Sequence, residues 1–237
     1  MLKYIPTIVL LGLFAVASVV HLYFCKTEQE KARKISKPFP MIFLVPAIML
    51  LVPEYPLIWM FPLLSLLGDV FLIFKKKSMG FFVAGSVLFF LGHLCNLIQL
   101  TIFLFKSDTK IPFIAYFIFA ISLALIIRFV FPLTKRYAGK LALLANVYMP
   151  ILVFIGVFSL LVTAAYADSY QGLLITLGYI FFIFSDGFLL YSNFIKDVKQ
   201  SHFYIMTTYF VGELLISLGL AMLVTWSVVV WYFTSNS

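Results

Sequence analysis

Ser65-Leu66-Leu67-Gly68-Asp69-Val70-Phe71-Leu72-Ile73-Phe74 is a stretch built for lipid that carries one carboxylate. Phe182-Ile183-Phe184-Ser185-Asp186-Gly187-Phe188-Leu189-Leu190-Tyr191 nearly repeats the setting, with Phe-Leu beginning two residues after the aspartate in both. A carboxylate inside a membrane segment costs roughly 3 kcal/mol on insertion scales, so it is seldom kept without a task. The pair points to a polar site inside a helical membrane bundle.

Composition supports that reading. Apolar residues make up 64% and charged residues 11% of the chain, and mean hydropathy is +1.11. A soluble domain averages about 45–50% apolar and about 25% charged residues, so this chain has too little polar surface to fold in water. The expected class is an all-α integral membrane protein forming one transmembrane domain over residues 1–237. The net charge of +8 sits in short loops between apolar runs, where it sets membrane orientation, and does not point to nucleic acid. Cys25 and Cys95 are the only cysteines; both fall in or at the end of apolar runs, so neither a disulfide nor a metal spacing is expected.

A helix needs about 20 apolar residues to cross the hydrocarbon core. Apolar runs at 4–25, 39–52, 56–74, 80–105, 111–131, 141–166, 171–194 and 203–233 give eight transmembrane helices. The first is read as a span and not a cleaved signal, because apolar sequence continues past Ala15-Val16-Ala17. The second is short and holds Pro40 and Pro46, which makes seven spans the main competitor. Pro62 and Pro150 should bend the third and sixth.

With eight spans, thirteen of the seventeen basic residues fall on one side: Lys26, Lys31, Arg33, Lys34 and Lys37, then Lys75, Lys76 and Lys77, then Lys135, Arg136 and Lys140, then Lys196 and Lys199. That side is expected to be cytoplasmic, with both termini opposite. A basic chain with short loops suits a bacterial inner membrane. At about 1.5 Å of rise per residue, Asp69 lies roughly 9 Å and Asp186 roughly 15 Å from the basic side. Glu213 is at a similar depth and His93 somewhat deeper. A cavity opening toward the cytoplasmic half would gather them.

Gly92-His93-Leu94 follows Asp69 as Gly212-Glu213-Leu214 follows Asp186, at intervals of 24 and 27 residues. Helices three and four therefore match seven and eight, which suggests two four-helix halves in parallel repeat. Two carboxylates at one buried site can differ in protonation, so that one serves as acid while the other activates water. Neither Gly-x-Ser-x-Gly nor His-Glu-x-x-His is present, and no cofactor is called for. The plainer readings are aspartates and His93 that only link helices, and Arg128 and Lys37 as anchors at head-group level. Their functional reading is a grip on a lipid phosphate. A proton- or cation-coupled transporter would use the same intramembrane carboxylates and is the alternative function.

The segment at 66–73 resembles the aspartate motif of the lysoplasmalogenase family of polytopic membrane proteins. Gly80, Phe82 and Gly85 ahead of Gly92-His93, the second aspartate motif at 181–186, the run at 205–210, Lys37 and Tyr148 also fit that family. The resemblance implies an eight-span enzyme that hydrolyses the vinyl ether of lysoplasmalogens to a fatty aldehyde and glycerophosphoethanolamine or glycerophosphocholine. It implies Asp69 and Asp186 as catalytic residues, with His93, Tyr209 and Lys37 lining the site and a lysophospholipid substrate drawn from membrane lipid. Two positions depart from the family: Glu213 stands where glutamine is usual, and Asn96 where tyrosine is usual.

Overall fold

The protein is described by a computed structural model covering residues 4–107, 110–125, 128, 142–167, 169–194 and 196–235. The described elements are helical: α1 (Ile5–Lys26), α2 (Glu30–Ser36), α3 (Phe39–Leu51), α4 (Pro56–Ile73), α5 (Met79–Lys106), α6 (Phe113–Leu125), α7 (Ala142–Ala165), α8 (Gln171–Phe194) and α9 (Ser201–Ser235). Seven segments are long and apolar enough to cross a membrane, and α6 is a shorter apolar helix. The fifth expected span is thus described as far as Leu125, and the loop with Lys135, Arg136 and Lys140 lies outside the described residues. The chain is an all-helical integral membrane protein with seven to eight spanning helices.

The weak second span gains its length from an unforeseen neighbour. Short, basic α2 runs almost directly into α3, and Glu30–Leu51 together make 22 residues. Pro38 and Pro40 begin α3 and need no donor there, while Pro46 inside it leaves the Ile42 carbonyl without its helical partner. The helix holds because it is enclosed. Met41, Leu44, Ala47 and Ile48 are fully buried, and α3 is packed by α1, α4 and α9. By contrast, Ile8, Val16 and Val19 of α1 are exposed, as side chains facing lipid should be.

The internal match in sequence extends to contacts. Phe61 and Gly178 each lie eight residues before their aspartate. A Cβ on Gly92 would sit 3.3 Å from the Phe61 carbonyl oxygen, and one on Gly212 would sit 3.0 Å from that of Gly178. One level along, a Cβ on Gly85 would sit 3.0 Å from the Gly68 carbonyl oxygen. At the equivalent level the Ser185 hydroxyl donates to the Ile205 carbonyl at 3.1 Å. The α4–α5 and α8–α9 crossings are therefore built alike. Three of the flanking contacts correspond as well: α1 on α3, α3 on α4 and α9 on α3 answer to α6 on α7, α7 on α8 and α5 on α7. Two four-helix halves account for this pattern.

Small residues set these crossings because backbone meets backbone. A Cβ at Gly178 would come within 2.7 Å of Ile216 Cγ1 and 2.8 Å of its backbone nitrogen. Gly178→Ala should therefore part α8 from α9 and destabilise the bundle by about 1–3 kcal/mol. A lower unfolding temperature in detergent checks this, and an unchanged one would contradict so tight a crossing.

Candidate functional site

The turns at the basic end bring α1, α2, α4, α5, α7, α8 and α9 around one cavity of about 200 Å³. Both aspartates line it, arriving from helices four elements apart in the chain. Asp69 comes from α4 and is 2% exposed. Lys37, at the break between α2 and α3, places its ammonium 3.0 Å from Asp69 Oδ1. The Tyr209 hydroxyl, from α9, donates to Asp69 Oδ2 at 3.0 Å. Both carboxylate oxygens are thus held, one by a cation and one by a phenol.

Asp186, from α8, is held differently. Its Oδ2 accepts a hydrogen bond from the Tyr148 hydroxyl on α7, and the ion pairs formed by described residues include none to it. The two carboxylates lie within electrostatic reach of each other and of Lys37. In each half, then, the partner comes from the chain just before the aspartate helix: Lys37 ahead of α3 for Asp69, Tyr148 in α7 for Asp186. The result is an ion-paired carboxylate and a tyrosine-bound carboxyl at one opening.

The rim is cationic. Arg33 and Lys34 reach it from α2 and Lys75 and Lys76 from the α4–α5 turn, while the imidazoles of His21 and His202 line the cavity from α1 and α9 without adding to that charge. The rim is fixed by local bonds. His21 Nδ1 pairs with Ser36 Oγ at 2.8 Å, which ties α1 to the end of α2, and Glu30 bridges Lys34 at 2.9 Å and Lys76 at 2.8 Å. Burial, then the neighbouring charges of Lys37, Arg33 and Lys76, bring the Lys75 ammonium down to about 8.

His93, Asn96 and Glu213 are not among the residues lining the cavity. All three are buried, and they share the inward faces of α5 and α9 with Phe89 and Tyr209. Aromatic rings surround His93: Phe182 lies 4.4 Å, Phe61 5.1 Å and the cavity-lining Tyr148 6.3 Å from its ring centre, and Phe182 also lies 5.7 Å from that of Tyr209. Their polar atoms make no hydrogen bond at good geometry with described residues, although the Glu213 carboxyl lies near the Ser65 and Tyr209 hydroxyls and within electrostatic reach of both aspartates. Arg128 is exposed and is not among the residues lining the cavity. No group of three or more His, Cys, Asp and Glu among the described residues is placed to hold a metal ion.

Of the residues singled out from sequence, the cavity therefore gathers Lys37, Asp69, Tyr148, Asp186 and Tyr209. The rim residues Arg33, Lys34, Lys75 and Lys76 were read from sequence only as markers of orientation. The signal that marks them as a site was their recurrence ahead of the two helices that flank the first aspartate.

The sequence model of the YhhN family matches residues 32–220, a stretch that takes in every residue of the cavity except His21 and Glu30. No curated protein and no solved structure matches the chain.

Proposed function

The chain belongs to the YhhN family, the family to which lysoplasmalogenases belong, and on that premise we propose that it hydrolyses the vinyl ether bond of a lysoplasmalogen-type lipid. The observation that carries the proposal is the unlike pair of aspartates at one cavity beneath a cationic rim.

The reaction needs an acid, a stabiliser of positive charge and a water. Asp186 is the acid in this reading. Tyr148 occupies one of its oxygens, which leaves the other to deliver a proton to the β-carbon of the vinyl ether. The resulting oxocarbenium ion carries its charge at the ether carbon, where the Asp69 carboxylate stabilises it. Water adds to that carbon and gives its proton to a carboxylate. The hemiacetal then breaks its carbon–oxygen bond to glycerol, its hydroxyl proton passing to the departing oxygen. One water is consumed, one fatty aldehyde and one glycerol hydroxyl are formed, and the carboxylates return to their starting states. Lys37 keeps Asp69 available as a carboxylate, and the remaining rim cations take the lipid phosphate, for which paired ammonium and guanidinium groups are suited.

Solvent labelling tests the bond that breaks. In D2O the aldehyde should carry one deuteron from solvent on its second carbon, and in H2 18O the released glycerol should carry no solvent oxygen. Solvent oxygen in the glycerol would mean cleavage on the other side of the ether and would sink the mechanism.

The rim also fixes a pH dependence. The Lys75 ammonium loses its proton near pH 8, so the rim holds one positive charge fewer above that pH than below it. Affinity for a phosphate-bearing lysolipid should fall between pH 7 and pH 9, and Lys75→Arg, which stays charged, should flatten the dependence. Equal wild-type affinity at the two pH values would take Lys75 out of phosphate binding.

A further inference from the structure

We propose that the rim selects a head group that is anionic overall, a phosphodiester without an ammonium such as phosphoglycerol, over the zwitterionic ethanolamine and choline head groups. The inference rests on the lipid-phosphate reading above and concerns what the phosphate carries.

The charges at the mouth are lopsided. Arg33, Lys34, Lys37, Lys75 and Lys76 converge on it from separate segments of the chain. Lys37 is committed to Asp69 at 3.0 Å. Among the described residues the other four face one rim carboxylate, Glu30, which already bridges Lys34 at 2.9 Å and Lys76 at 2.8 Å. A phosphate entering here meets uncompensated positive charge. An ammonium tethered to that phosphate by a two-carbon arm would have to settle among the same cations, with Glu30 as its one partner. To reach Glu30 it would have to displace a lysine.

Chemistry at the rim argues the same way for choline. A quaternary ammonium cannot donate a hydrogen bond and is recognised by the faces of aromatic rings. The rim cations here are ammonium and guanidinium groups, which offer no ring face of their own, while Phe89 and Tyr209 pack edge to face beside Asp69, 5.8 Å between ring centres. A glycerol arm suits the site better. It adds hydroxyls and no charge, so the single negative charge of the diester is left to the lysines. Discrimination of this kind comes from placing like charges against the wrong ligand.

The test uses non-hydrolysable alkyl-ether lysophospholipids of one chain length, with phosphoglycerol, phosphoethanolamine or phosphocholine heads, binding to the full chain in a neutral detergent. At low ionic strength the phosphoglycerol lipid should bind about tenfold tighter than the phosphocholine lipid. The gap should narrow at high salt, because part of the rim is exposed and screened. Lys75→Gln combined with Lys76→Gln should draw the three affinities together, and the circular dichroism of that variant reports whether it is folded. Equal affinities, or tighter binding of either zwitterion, would overturn the inference. So would a gap that salt and the double variant leave untouched. Turnover does not enter these measurements, so failure here and failure of the vinyl ether chemistry are read separately. Equal affinities with intact aldehyde release remove only the head-group inference, and a tenfold gap in a protein that releases no aldehyde removes only the enzyme.

Discussion

Asp186→Asn should lower the release of fatty aldehyde from a vinyl ether lysolipid by about a thousandfold, the scale expected when a positioned acid is lost, while leaving a folded protein. The asparagine is nearly isosteric, and its carbonyl can still accept the Tyr148 hydrogen bond that Asp186 accepts. What it cannot do is deliver a proton to carbon. Unfolding temperature in detergent should stay within a few degrees of wild type, since no ion pair is broken. Aldehyde release near the wild-type rate in a folded Asp186→Asn protein would remove this residue from the chemistry. Asp69→Asn should be inactive too, for a different reason: the amide holds no charge to set against the oxocarbenium ion.

Lys37→Met should show the largest effect on stability. Lys37 is 18% exposed and Asp69 is 2% exposed, so removing the lysine strands a carboxylate where water can barely reach it. Breaking such a pair from one side costs about 3 kcal/mol or more, because the charge left behind has lost its compensation. Removing both charges should cost much less. The double variant Lys37→Met, Asp69→Asn should therefore recover most of the lost stability and none of the turnover. Unfolding in detergent across the wild type, two single variants and the double variant measures the coupling directly. If the two single effects simply add, Lys37 and Asp69 act independently and the ion pair has no hold on the site.

The sequence carried the aspartates plainly, because two carboxylates in apolar runs have few explanations. It also carried their equivalence. The Gly-His and Gly-Glu matches that paired α5 with α9 reappear as equivalent helix crossings, where Gly92 meets Phe61 and Gly212 meets Gly178. Phe89, His93 and Asn96 follow one another at the spacing of a single helix face, and all three are buried.

What spacing could not give is which rings close over a neighbour. Phe182, Phe61 and Phe89 were indistinguishable in sequence from lipid-facing phenylalanines. Contacts between helices far apart in the chain pack Phe61 and Phe89 against Phe182, and Phe182 against His93. The rim was hidden for another reason. Seven-residue α2 is too short for helical periodicity to announce itself, so Arg33 and Lys34 read as loop charges that orient the chain. Only the fold brings them opposite Lys75 and Lys76, 41 residues or more away in the chain.

Purified wild-type protein, given a lysolipid with a vinyl ether chain beside the matching saturated ether, bears most directly on the proposed chemistry. The expected result is release of fatty aldehyde from the vinyl ether alone, lost in both Asp69→Asn and Asp186→Asn. No aldehyde from a folded wild-type protein, together with proton-coupled solute uptake into liposomes that contain it, would contradict the hydrolase and assign the same carboxylates to transport.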